Sequence, residues 1–320
     1  MQPVQPPVID VCSLIHDTAG WRVYLTRLGE NAPEYLDVFS ASFCRYFDAS
    51  HSAYRAALAH DWKAALDVLL PPDRPPFDLG DHLAGRDRQG VVAEIAMGSQ
   101  ERLPDGRTVN DWLLTATAPA RARIHVWAGL SLRDPAAALR EAERTVEAGA
   151  EGLCVIPFLD GTDPTDPAFT PVFDAARRRR LPVWLHTGHH FAARRATGLG
   201  SWRTVEALAS RHPGLMLVAG HAGWPEVTET LLTAARHPHV YLEFSSHRPR
   251  RMADPGSGWA PLLHHARTLA RDRTLFGTST WVNPVPVRGL ADELTALGLG
   301  ADVTDAWLFA NARRMLGLRA

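Results

Sequence analysis

The sequence predicts an α/β fold: eight parallel strands wound into a (β/α)8 TIM barrel, with a helical insertion after the first strand. Three observations carry this expectation. From residue 90 onward, short apolar runs alternate with helical stretches in a steady strand–helix rhythm. Two consecutive runs end alike, in Leu181-Pro-Val-Trp-Leu-His186-Thr-Gly-His-His190 and in Leu215-Met-Leu-Val-Ala-Gly-His221-Ala-Gly-Trp224. In such a barrel the carboxyl ends of the strands form the functional mouth, so both histidines are expected there. Third, 320 residues at 46% hydrophobic and 22% charged suit one domain with a large core, spanning 1–320.

The first strand is Pro7-Val-Ile-Asp-Val11, running into Cys12-Ser13-Leu14-Ile15-His16. From about 17 to 80 the texture is helical, with apolar residues at helical spacing over 33–40 and 53–70. Pro71-Pro72-Asp-Arg-Pro-Pro76 closes that block. It is expected to cap the barrel mouth, or alternatively to form a homodimer surface. Strands follow at 90–96, 124–131, 152–156, 183–185, 215–219, 240–246 and 274–277. Asp134 as N-cap and Pro135 in the first turn open a helix through Glu147, and Gly149 closes it. A second helix is expected over 166–180, its arginine run Arg177 to Arg180 forming a solvated end.

A net charge of −1 gives no electrostatic argument for nucleic acid or an anionic membrane. Three scattered cysteines, Cys12, Cys44 and Cys154, argue against a disulfide framework and for a reducing compartment. The N-terminal stretch lacks the pattern of a signal peptide, and no run is long and apolar enough to span a bilayer. A cytoplasmic location is the expectation.

Several stretches stand in a recognisable order: Asn110-Asp-Trp-Leu, Glu147-Ala-Gly-Ala-Glu-Gly-Leu, Leu181-Pro-Val-Trp-Leu-His-Thr-Gly, His221-Ala-Gly and Asn311-Ala-Arg-Arg-Met-Leu-Gly. On these the chain resembles the amidohydrolase superfamily, in the branch of the aminocarboxymuconate-semialdehyde and resorcylate decarboxylases. The resemblance implies a metal centre with a His-x-His pair from strand one, a histidine from strand five and an aspartate from strand eight. Here those positions hold Cys12, Leu14, His186 and Ser279. His221 falls where the branch places a proton-handling histidine. Leucine has no lone pair and neutral serine is a poor zinc ligand, so the expectation is no metal and no cofactor. The alternative is zinc on a rearranged Cys12–His186–His221 triangle, with His16 or His247 as extra ligands.

Three chemistries compete on these residues. A metal-independent enzyme would use His186 and His221 as acid and base for decarboxylation, dehydration or ring closure. Cys12, at a strand end, is a candidate nucleophile, with a small buried cysteine as the alternative. Third is a barrel that only binds, against which stands a mouth rich in polar side chains. Candidate substrate contacts are His16, His189, His190, Trp224, Ser245, His247, Thr278 and Thr280, with Ser279 beside them. Arg194, Arg195 and Arg248 point to a small anionic substrate, because guanidinium forks suit carboxylates. Glu94 and Glu243 lie within strands, where burial would raise a carboxylate or a hydrogen bond would use it. The favoured expectation is lyase-type chemistry on a small carboxylated or cyclic metabolite. A zinc-dependent hydrolase of a lactone or amide is second, and a non-catalytic barrel third.

Overall fold

The computed structural model describes residues 6–318. Eight strands pair in parallel and in sequence order: β1 (Val8–Ser13), β2 (Val91–Met97), β3 (Ile124–Leu130), β4 (Gly152–Val155), β5 (Val183–His186), β6 (Leu217–Gly220), β7 (Val240–Glu243) and β8 (Thr274–Leu275). Just past β8, Phe276 O accepts the backbone N–H of Val11 at 2.9 Å, which brings the last strand to the first. Asp10 reinforces this seam by accepting Thr278 N–H at 3.0 Å and Thr278 Oγ–H at 2.6 Å.

Strand side chains alternate between two cores, as a period of two demands. Ile9, Val11, Ile95, Trp127, Trp184, Val218 and Leu275 fill the barrel interior. Val126, Ala128, Val183, Leu185, Leu217 and Ala219 face the surrounding helices. With both faces buried, the strands appear in sequence as continuous apolar runs. All eight expected strands are present, with boundaries shifted by a few residues.

Six helices separate β1 from β2: α1 (Thr18–Asn31), α2 (Glu34–Val38), α3 (Ser40–Phe47), α4 (His51–Leu58), α5 (Trp62–Leu69) and α6 (Leu79–Arg88). The apolar run over 53–70 is two helices, because Asp61 is extended and caps α5 by accepting Lys63 N–H. α6 runs past the expected end of the insertion; with no buried residue, it carries little apolar periodicity to read. The inserted helices share a buried cluster with Phe158, Leu159, Ala192 and Trp281, which follow β4, β5 and β8. They therefore lie across the carboxyl ends of the strands.

The outer helices follow the expected rhythm, beginning with α7 (Val109–Ala116) and α8 (Pro135–Glu147). Asp134 accepts Ala136 and Ala137 N–H at the start of α8, and Gly149 leaves it at φ +106°. A short α9 (Pro157–Asp160) precedes α10 (Thr170–Arg178).

Candidate active site

Between the strand ends and the inserted helices lies a cavity of about 340 Å³. Cys12, His186, His221 and Ser279 form part of its wall, as do Tyr24, Arg27, Tyr35, Phe158, Trp184, Phe191, Trp224, His247 and Trp281. The two histidines face each other with ring centroids 4.7 Å apart and planes at 71°. Register explains this: His186 pairs with Gly220, so the next residue, His221, emerges beside it.

The environment of each ring differs. Burial, followed by the neighbouring His221 and His190, holds His186 well below the usual imidazole range, so it is neutral at pH 7. Burial likewise brings His16 down to about 4, and burial with nearby His221 brings His247 to about 3. His221 has a carboxylate beside it, Glu243 Oε1 lying 3.8 Å from Nδ1. Its Nδ1–H donates to Ser245 O at 2.9 Å and lies 3.0 Å from Ser245 Oγ.

Cys12 Sγ lies 3.9 Å from Ser279 Oγ, and Ser279 N–H donates to Cys12 O at 2.9 Å. Burial, then the nearby Glu243 carboxylate, pushes the Cys12 thiol well above its ordinary value, opposing thiolate formation. Glu94 does not have the raised pKa considered for it. It packs against α6, where Arg86 at 2.8 Å and the His82 hydrogen bond overcome its burial and bring it to about 2. Asp10 is the carboxylate that burial raises, to about 6.

Of the expected substrate contacts, His16, His189, Trp224 and His247 line the cavity. The others are placed elsewhere. Ser245 is buried behind His221, and Thr278 is bound to Asp10. Thr280 lines a neighbouring cavity of about 450 Å³ that shares Leu14 and His16. His190 stacks on Phe158 behind the wall and bonds Ala196 O at 3.1 Å. The three arginines chosen from sequence also miss the cavity: Arg194 is exposed, Arg195 reaches Asn31 on α1, and Arg248 forks onto Glu293. The arginine that lines it is Arg27 of α1, its side chain one-tenth exposed and its Nη2 2.7 Å from Asp160. Arg27 Nε is 3.5 Å from Glu101 but makes no hydrogen bond. Sequence reading passed over Arg27, Tyr24 and Tyr35 because nothing local marks which face of an inserted helix turns toward a barrel.

The amidohydrolase family model matches residues 48–318, which include β2 to β8 with both histidines. The chain belongs to the amidohydrolase family. It is an enzyme of that superfamily. β1, Cys12 and Arg27 lie before the matched span. No curated protein sequence matches the chain. Among similar solved structures is an uncharacterised TIM-barrel protein from Bordetella bronchiseptica, at 18% identity and TM-score 0.70, covering 97% of this chain and 98% of that one. A second is 5-carboxyvanillate decarboxylase LigW from Sphingomonas paucimobilis, at 16% identity and TM-score 0.63, covering 98% and 100%. A third is a dihydroxybenzoic acid decarboxylase from Polaromonas sp. JS666 with bound manganese and the inhibitor 2-nitroresorcinol, at 16% and 0.63, covering 99% and 98%. At such identities the likeness establishes a common fold.

The manganese in the Polaromonas enzyme corrects one expectation: a site without metal or cofactor has no support, and that expectation is withdrawn. The residues of this amidohydrolase do not, however, form a ligand set as they stand. Among the described residues no three His, Cys, Asp or Glu side chains are grouped to hold an ion. The zinc triangle of Cys12, His186 and His221 is thus not assembled. Leu14 offers no lone pair, Ser279 is a neutral hydroxyl, the Cys12 thiol is held protonated, and His221 Nδ1 is bound to Ser245. Among the described residues no helix is long and apolar enough to cross a membrane.

Proposed function

We propose that this amidohydrolase is a lyase that decarboxylates a small aromatic carboxylate, with His221 as the proton-transfer residue. The observation carrying this reading is the His186–His221 pair, 4.7 Å apart, in a cavity walled by aromatic rings and containing one arginine. The decarboxylases of the same fold support the reaction class.

Each part of the cavity has a task in this scheme. Phe158, Trp184, Phe191, Trp224 and Trp281 offer apolar faces for a flat ring. Arg27 binds the substrate's anionic group, its partly used fork having N–H groups to spare. The inserted helices act as a cap, because they deliver Arg27 and exclude water from the ring. His186, kept neutral, serves as a hydrogen-bond partner rather than a charged acid. His221, having first taken a solvent proton on Nε2, then delivers that proton to the ring carbon that bears the carboxylate. The carbon–carboxylate bond breaks, its electron pair restores the aromatic ring, CO2 leaves, and solvent reprotonates the imidazole.

The test is CO2 release from a panel of hydroxylated benzoates and vanillates, with and without added manganese. Release from at least one aromatic acid is expected. Lactone or amide hydrolysis by the same preparation, with no CO2 from any acid, would overturn the lyase reading.

A further inference from the structure

Glu243 is fully buried at the end of β7, inside the barrel beneath the cavity. Its Oε1 accepts Trp184 Nε1–H at 3.1 Å, His221 N–H at 2.9 Å and Ser245 Oγ–H at 2.8 Å. Its Oε2 accepts Ser245 N–H at 2.6 Å. Among the described residues its one ion-pair contact is His221, and no arginine or lysine neutralises it. A buried carboxylate that takes four hydrogen bonds instead of a cation is costly to keep for packing alone.

Two further features point at what it holds. His221 and Ala222 are both left-handed, at φ 60° and 50°, although neither is glycine. Such a backbone persists only where its surroundings over-determine it. The His221 N–H bond to Glu243 is the nearest such constraint. Second, Ser245 O can only accept, so His221 Nδ1 must carry the proton it donates there. The hydroxyl of Ser245, committed to Glu243, meets the same Nδ1 as an acceptor. Nε2, at the far edge of a ring that lines the cavity, is left as the atom that exchanges protons. Space around the carboxylate is closed as well: a Cβ on Gly277 would stand 2.5 Å from Glu243 Oε2.

We infer that Glu243 is a positioning residue, which through His221 N–H and through Ser245 fixes the orientation and tautomer of His221 so that Nε2 faces the substrate. The role for Nε2 rests on the proposed function. The hold of Glu243 on the ring does not. Elsewhere, losing the carboxylate that fixes a catalytic histidine's tautomer lowers turnover by about 10⁴.

The test reads both parts separately. ¹⁵N-histidine spectra of the full chain report the His221 tautomer, and steady-state kinetics report kcat and KM for whichever aromatic acid is turned over. The wild type is expected to show only the Nδ1–H form of neutral His221. Glu243→Gln places an NH2 among four donors, so it should mix the tautomers and lower kcat at least 100-fold with KM within about threefold. Ser245→Ala keeps the carbonyl and should lower kcat about tenfold, which covers the case in which Glu243→Gln fails to fold. A wild-type tautomer and kcat in Glu243→Gln, or an unchanged kcat in Ser245→Ala, would overturn the inference. Mixed tautomers in Glu243→Gln with no decarboxylation by the wild type would instead sustain Glu243 and sink the lyase reading.

Discussion

Replacing Arg27 separates the binding of the substrate's carboxylate from the binding of its ring. The side chain is one-tenth exposed and sits in an aromatic wall, so a carboxylate placed on it is shielded from water. A charge-assisted hydrogen bond there contributes about 1.5–3 kcal/mol, or about tenfold to 150-fold in affinity. Arg27→Met alone would leave the buried Asp160 carboxylate with only the half-exposed Arg133, at 3.4 Å, as a cation among the described residues. In Arg27→Met/Asp160→Asn the amide oxygen can still accept Leu132 N–H, 2.7 Å away in the wild type, and the amide N–H can donate to Ser131 Oγ, 3.2 Å away, so the double variant should remain folded. Calorimetric titration with 2,6-dihydroxybenzoate and with resorcinol compares ligands that differ by the carboxylate. The wild type should prefer the acid by at least tenfold, and the double variant should bind both alike. A double variant with a wild-type melting temperature and an undiminished preference would refute Arg27 as the anchor.

Two other outcomes follow from the buried groups. Cys12→Ser should retain activity within about threefold, because a thiol pushed well up by burial is a poor nucleophile; a loss of several orders of magnitude, with iodoacetamide labelling confined to Cys12, would restore it as one. Stability should fall as pH drops from about 6.5 toward 4. His16 and His247 are neutral in the fold and bind protons first in the unfolded chain, so the unfolded state gains protons across this window. The drop of His16 from 6.5 to about 4 alone corresponds to on the order of 3 kcal/mol. His186 and His190, lowered likewise, act the same way, and Asp10, raised to about 6, runs the opposite way but is one group against these histidines. Urea melts at pH 7.5 and 5 check this, and equal midpoints would contradict it.

The barrel was legible because parallel strands buried on both faces are continuous apolar runs, and because His186 and His221 end two of them. Helix α8 was legible to the residue, since Asp134, Pro135 and Gly149 each act through local backbone chemistry. The site's polar wiring was less so. Arg194, Arg195 and Arg248 are near the right strand ends in sequence, yet Asn31 and Glu293, distant in the chain, engage Arg195 and Arg248, while Arg194 stays in solvent. Arg27 reaches the cavity through tertiary packing of α1, which no spacing encodes. Glu94 and Glu243 look alike as single acids within strands. Partners separate them: Arg86 and His82 meet Glu94, whereas Trp184, His221 and Ser245 meet Glu243.

Single-turnover decarboxylation in D2O shows whether His221 moves the proton. With an aromatic acid that the wild type decarboxylates, the product should carry one deuterium at the vacated carbon. His221→Ala should bind that acid within about threefold of wild type while losing about 10²–10⁴ in rate. A folded His221→Ala protein that releases CO2 at the wild-type rate would rule out His221 as the proton donor.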